Sequence, residues 1–375
     1  MKRPELAIFL PSLVGGGAER MMLNLASGMV DRGVVPDLVV ASEEGPYRAL
    51  VPAPCRLVNL RARRVLAALP GLVRYLRNRR PHALLAAMDH ANLVALAAGA
   101  WARVPTRVYV SVRSNLTQEA LHSPFLRGRA LPLLARHGYP RAAAVIAVSQ
   151  GVADDLQSLL GVRRARIQVI PNPVVTPELT RLARERPTHP WFRPGGPQVI
   201  LAAGRLVPQK DYPTLLEAFA TLDPGVERRL LILGEGPERQ MLEGLIARLG
   251  LVGRVALPGF TANPFAFMAH CDLFVLSSAW EGLPGVLIQA MACGTPVVST
   301  DCPSGPREIL ADGRLGRLVP VGDVGALGAA IARTLEEPRE GARLQRRAAD
   351  FAVESVTRQY LEVLGLRCPC TVSPG

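Results

Sequence analysis

Aromatic residues make up only 5% of this 375-residue chain, too few to build stacking platforms for single-stranded nucleic acid. Lysine is scarcer still. Of 44 basic residues 42 are arginine, and the two lysines are Lys2, at the terminus, and Lys210. No uncharged run exceeds the one between Glu281 and Asp301, and it contains Pro284, Gly294, Thr295 and Pro296. It therefore predicts a helix, a turn and a strand, and excludes a bilayer span. Met1-Lys2-Arg3 is not followed by a long apolar stretch or a cleavage site, so no signal peptide is predicted and a cytoplasmic location is expected. The six cysteines have no disulfide-framework spacing, and Cys368-Pro369-Cys370 is a weak metal or redox signal; reduced thiols are expected. The six histidines lack paired metal-ligand spacing, and no metal site is expected.

Charge is present in quantity, and it is one-sided. Residues 1–170 hold 23 basic against 10 acidic side chains, whereas residues 171–375 balance at 21 against 21. The whole formal charge of +13 thus resides in the first half. Such a field suits an anionic partner: nucleic acid, acidic phospholipid or a phosphorylated acceptor. Two segments mix arginine with apolar residues. Arg74, Arg77, Arg79 and Arg80 accompany Leu72, Val73 and Leu76, and Arg127, Arg129 and Arg136 accompany Phe125, Leu126, Leu131 and Leu134. Each could dock on an anionic membrane or could be an ordinary amphipathic helix with a solvated arginine side.

Apolar runs alternate with helical periodicity throughout. Strands are expected at Leu6–Leu10, Pro36–Ala41, Ala83–Ala87, Arg107–Val112 and Ala143–Val148, and a further strand ends in the proline-marked turn of residues 167–173. The glycine turn Gly15–Gly17 leads into a helix from about Ala18 to Arg32. Residues 174–197 are rich in Pro and Arg and suggest a connector. A second alternation then places strands near 199–204, 230–234, 254–258, 273–277, 296–300 and 316–320, and residues 342–366 look helical. The prediction is α/β, with two doubly wound parallel sheets in tandem, facing each other across a cleft. Ligands bind at the carboxyl ends of such strands, so the strand-to-helix turns are the places to search.

Three turns carry chemistry. At Gly16 and Gly17 the backbone can approach an anion before a helix N-terminus, but Arg20 stands where a dinucleotide fingerprint needs glycine. In GRLVPQKD, Gly204 to Asp211, Arg205 offers a planar fork for two phosphate oxygens and Lys210 a compact charge. In WEGLPGVLIQAMACGTPVV, Trp280 to Val298, Glu281 lies at a strand end where a carboxylate suits sugar hydroxyls, with Gln289 eight residues on. Two solvated cations, an acidic turn residue and a solvated amide are the plainer alternatives for these positions.

Taken together, Gly204-Arg205, Lys210 and Glu281, with TDCPSGPREIL (Thr300 to Leu310) and GGAER (Gly16 to Arg20), resemble the retaining glycosyltransferases of family 4, of the type that extends bacterial glycans. The likeness covers residues 5 to about 340 and implies the two-Rossmann GT-B architecture. It implies an acceptor-binding domain at 1–173, a linker at 174–197 and a nucleotide-sugar-binding domain at 198–340. The remainder, 341–375, would be a C-terminal helix and tail packing back on the first domain.

On this resemblance Arg205, Lys210 and Glu281 are the catalytic candidates, gripping the donor diphosphate and the transferred sugar. Gly16, Gly17, Gly204, Leu257, Pro258, Phe260, Gly282, Leu283, Pro284 and Gln289 would bind the donor, the loop at 257–260 lying beside the nucleobase. Gln289 replaces the family's second glutamate, which usually holds the ribose hydroxyls. Arg113 stands where members often have a histidine; with Asp89 and His90, at another strand-end turn, it is an acceptor-binding candidate. The chain has no Asp-x-Asp, so a metal-independent transfer with retention is expected, from a nucleoside-diphosphate sugar to a glycan or lipid-linked saccharide, with no cofactor. A peripheral position on the inner face of the cell membrane would follow from the basic half. A nucleotide-sugar epimerase of the same architecture is the alternative enzyme, and a basic nucleic-acid-binding protein the alternative from another class.

Overall fold

A computed structural model describes residues 5–123, 125–160 and 166–366. Lys2 and the Cys368–Cys370 pair lie outside them. The described residues form two compact units, one comprising those up to Val174 together with those from Val353 onward, the other Val175–Ala352.

The first unit is built on seven parallel strands: β1 (Leu6–Leu10), β2 (Asp37–Val40), β3 (Arg56–Asn59), β4 (Ala83–Ala87), β5 (Arg107–Val112), β6 (Ala144–Ala147) and β7 (Ile167–Val169), ordered β3-β2-β1-β4-β5-β6-β7. Every residue of β1, β2 and β4 is buried, as expected for parallel strands covered on both faces, and this explains the unbroken apolar runs of β1 and β4; in β2 the buried Asp37 pairs with Arg79. Sequence patterning did not reveal β3, a half-exposed edge strand whose Arg-Leu-Val-Asn lacks such a run.

The first helix spans Gly17–Val30, with Gly16 as its N-cap. Against it packs Val353–Leu364, the helix that follows the second unit. Tyr360, Leu361 and Leu364 join the same buried cluster as Leu6, Ile8 and Met22. A Cβ on Gly28 would lie 2.3 Å from Thr357 Oγ1, so only glycine permits this approach.

In the second unit, six parallel strands, β8 (Gln198–Ala203), β9 (Arg228–Leu233), β10 (Val255–Gly259), β11 (Leu273–Leu276), β12 (Val297–Thr300) and β13 (Arg317–Val319), are ordered β10-β9-β8-β11-β12-β13. Residues 174–197, expected as a connector, carry a helix, Pro177–Leu182, whose first turn is capped when Leu179 N donates to Thr176 Oγ1 at 3.1 Å. Phe192 packs edge-on against Phe267 with centroids 5.4 Å apart, so this stretch is part of the second unit.

The single helical stretch expected at 342–366 is broken as well. Gly341–Ala348 packs on Gly285–Ala292. A 3-10 turn at Ala349–Phe351 and extended backbone at Ala352 then lead into Val353–Leu364. Arg347 anchors the first piece by donating to the carbonyls of Glu308 (2.8 Å) and Ile309 (3.2 Å). No helix among the described residues is long and apolar enough to cross a membrane.

Candidate functional site

Each sheet has one place where the chain reverses its direction of growth. In the second unit it falls between β8 and β11. Loops leaving two neighbouring strands there diverge and leave a crevice at the carboxyl edge. The catalytic candidates of the sequence, Arg205, Lys210 and Glu281, come from these two loops.

Gly204 to Asp211 follows β8, and Ser277 to Pro284 follows β11. They are tied together repeatedly. Ala279 N donates to Gln209 O (2.9 Å), Gln209 Nε2 to Trp280 O (2.9 Å) and Ser277 Oγ to Lys210 O (2.7 Å). At the centre Lys210 Nζ meets Glu281 Oε1 at 2.5 Å, and the same oxygen accepts from Ser278 Oγ at 2.7 Å. Both charged side chains are largely buried, with 14% and 9% of their surface exposed, so the pair is screened far less than a surface one.

Below it sits Tyr212, which opens the helix Tyr212–Ala220. Its hydroxyl is buried with no hydrogen-bond partner among the described residues. Burial raises its pKa well above the ordinary value, and the Glu281 charge adds to that. Cys302 is also pushed up, to about 12, by burial first and then by Glu281, against the lowering effect of Lys210.

Arg205 is exposed. The turn that presents it is held by close backbone packing: Gly204 N donates to Leu233 O and Leu206 N to Glu235 O, both at 2.9 Å. Gly234 has φ of +136°, and a Cβ there would fall 1.9 Å from Gly204 O.

Pro284 is the N-cap of Gly285–Ala292, and Gln289 is partly buried within that helix. Gly282, Leu283 and Pro284 are buried in the loop beside Glu281. At the end of β10 Leu257 packs on the core, whereas Pro258 is exposed and Phe260 projects with 80% of its surface accessible. Arg239 braces this loop, donating to Leu257 O and to both carboxylate oxygens of Glu235, each at 2.9 Å.

In the first unit the reversal falls between β1 and β4. Gly16 and Gly17 leave β1, and Asp89 and His90 leave β4. The Glu19 carboxylate folds over Gly16, while Gly17 is open around its Cα. His90 is exposed. The Asp89 carboxyl is enclosed and accepts from Tyr139 OH (3.3 Å) and Ser114 Oγ (3.4 Å). Burial, then the charge of Glu119, raise its pKa to about 7 against the lowering effect of those two hydrogen bonds. Met88, just before it, is held at φ +77°, a strained backbone for a non-glycine residue.

Arg113 differs from the expectation. Its guanidinium is enclosed, donating to Asn172 Oδ1 and Met22 Sδ, with Nε buried and without a hydrogen-bond partner among the described residues. Burial lowers its pKa. This side chain is turned into its own unit, held by Asn172 in the loop after β7 and by Met22 of the first helix.

Ser278, Tyr212, Tyr139 and Ser114 were not visible as site residues in the sequence. Ser278, Tyr212 and Ser114 lie within three residues of Glu281, Lys210 and Arg113, so closeness to a candidate could have signalled them; Tyr139 had no candidate near it.

A family model for glycosyltransferase family 4 matches residues 15–178, and one for glycosyl transferases group 1 matches residues 184–351. The lipopolysaccharide core biosynthesis glycosyltransferase LpsE of Rhizobium meliloti (strain 1021) is 30% identical over 93% of this chain and 96% of its own. The 2-deoxystreptamine glucosyltransferase of Streptomyces kanamyceticus is 28% identical over 80% of each chain. Among solved structures, Anabaena Alr3699/HepE in complex with UDP-glucose superposes with a TM-score of 0.77 at 23% identity, over 96% of this chain and 99% of that one. The chain belongs to glycosyltransferase family 4 and is a glycosyltransferase with the two-Rossmann GT-B fold.

Proposed function

We propose that this glycosyltransferase transfers a sugar from a nucleoside-diphosphate sugar to a glycan or lipid-linked saccharide, with retention at the anomeric carbon and without a metal ion. The observation that carries the reading is the meeting of Lys210 and Glu281 at the β8–β11 reversal, with Arg205 exposed on the same turn as Lys210. The complex of HepE with UDP-glucose, and the naming of LpsE as a lipopolysaccharide core enzyme, support the donor and acceptor classes.

The chemistry follows from these groups. An ammonium has three N–H donors, so Lys210 can keep Glu281 and still give a hydrogen bond to a diphosphate oxygen, while Arg205 takes two more. As the bond from the anomeric carbon to the phosphate oxygen breaks, negative charge grows on the diphosphate, and fixed cations stabilise it without reorganising. Orphan amides at the start of Gly285–Ala292 add to that field. Glu281 Oε2 remains available to accept from a sugar hydroxyl. The acceptor oxygen bonds to the carbon on the face the leaving group vacates, and its proton passes to the departing phosphate oxygen.

The test is to incubate the enzyme with a panel of nucleotide sugars and saccharide acceptors in chelator, and to read the new linkage by NMR. A product with the donor's anomeric configuration, formed in EDTA and lost in Lys210→Ala, is expected. An inverted product, or activity only with added magnesium or manganese, would overturn the mechanism. Conversion of the donor with no acceptor present would instead favour an epimerase.

A further inference from the structure

Burial separates the two arginine-rich segments that look alike in sequence. In the helix Leu69–Arg79, Leu72, Val73 and Leu76 are all buried in the first unit. Arg79 pairs with Asp37 at 3.2 Å, and Arg77 donates to the carbonyls of Trp101 and Ala102. That segment is an ordinary core helix.

Residues 116–141 are different. Three short helices, Leu116–Leu121, Leu126–Arg129 and Leu131–Gly138, pack on one another and on Gln150–Leu160. Their outward side is apolar. Leu121 is 67% exposed, Phe125 58%, Leu126 83%, Leu133 60% and Leu134 54%. Among the described side chains of these helices only Leu116, Leu131 and Ala135 are buried. So many large apolar side chains from one stretch of 14 residues are more than the scattered exposure of a monomer surface. A depression of ≈ 350 Å³ lined by Thr117, Ala120, Leu121, Arg129, Pro132 and Leu159 opens beside them. Arg129 and Arg136 are exposed among these side chains, and the stretch holds four arginines against one glutamate, Glu119.

We infer that this face is a docking surface for an anionic lipid bilayer, Leu121, Phe125, Leu126, Leu133 and Leu134 entering the interfacial region while the arginines meet lipid phosphates. Charge selects the occupant. A second copy docking on the same patch would bring like arginines together. A nucleic acid would gain little from aliphatic side chains that cannot stack with bases. A bilayer with acidic headgroups satisfies both halves of the surface. The inference deepens the proposed function, because it would hold the enzyme where a lipid-linked acceptor lies.

The test is co-sedimentation with vesicles of phosphatidylcholine alone and with about one-third phosphatidylglycerol. Binding to the acidic vesicles is expected, weakened by added salt and reduced at least tenfold in Leu126→Asp/Leu134→Asp. The variant should keep the donor-induced thermal shift of the parent, which certifies its fold and separates this result from any failure of the donor assignment. No binding to acidic vesicles at low salt would overturn the inference. So would equal binding of parent and variant, or a concentration-dependent dimer in sedimentation velocity that the variant abolishes.

Discussion

Lys210 Nζ and Glu281 Oε1 are 2.5 Å apart although 71 residues separate them in sequence, because β8 and β11 are neighbours in the sheet. A buried pair of this kind costs desolvation energy to form, and removing one partner strands the other. Lys210→Met or Glu281→Gln alone is therefore expected to lower stability, by about 1–3 kcal/mol given the remaining Ser278 bond. The double variant should recover much of that loss, since neither charge remains unpaired. Urea melts of the four proteins measure the coupling; strict additivity would show that the pair is not a unit. All three variants should lose sugar transfer, whatever their stability.

Gln289 is placed within Gly285–Ala292, where the resemblance puts a glutamate for ribose hydroxyls. A neutral amide accepts a hydrogen bond more weakly than a carboxylate. Gln289→Glu is expected to lower the KM for the nucleotide sugar, by roughly fivefold to tenfold for about 1–1.4 kcal/mol, with kcat nearly unchanged. Steady-state kinetics with varied donor will check it. An unchanged KM would remove Gln289 from the donor site.

Gly234→Ala tests the turn that carries Arg205. The added methyl would lie 1.9 Å from Gly204 O, at a φ of +136° that suits glycine. The neighbouring backbone would have to move, at a cost of about 1–3 kcal/mol. Both a lower melting temperature and a smaller donor-induced thermal shift are expected. A destabilised protein with normal donor binding would mean that the turn does not serve the site.

Asp89 makes stability pH-dependent with a definite sign. Its pKa is about 7 in the folded chain against the ordinary 3.8, so between those values the native state holds a proton that the unfolded chain has lost. Unfolding free energy contributed by this group is full below that window, declines as pH rises through it, and levels off above 7. Asp89→Asn should remove the decline. The stability gap, variant minus parent, will then grow from pH 4 to 7 by on the order of a few kcal/mol at most. Melting curves across that range measure it, and a flat gap would show that the carboxyl is not held protonated. Glu119→Gln should move the midpoint down, since its charge is the second cause.

Much of this molecule could be read from local pattern. Strands such as β1, β4 and β8 announce themselves because burial on both faces demands unbroken apolar runs, and glycine-marked turns fix where each strand ends. What escaped reading depended on distant partners. Tyr139 reaches Asp89 across 50 residues, and nothing near either residue signals it. Arg113 looked like a ligand-facing cation until Met22 and Asn172 were found around it. The helices near Leu76 and Leu134 have the same mixture of leucine and arginine, yet one leucine is buried and the other 54% exposed. Composition cannot distinguish a face that packs inward from one left outside, because the difference lies in what the rest of the chain places against it.

The first unit is assembled from two stretches that the second unit separates in sequence, with Tyr360, Leu361 and Leu364 lying against Leu6, Ile8 and Met22. During translation these early apolar residues emerge more than 300 positions before the helix that covers them. The second unit, continuous from 175 to 352, is free of that delay. Closure of the buried cluster of the first unit therefore waits until the whole of the second unit and the helix Val353–Leu364 have been synthesised.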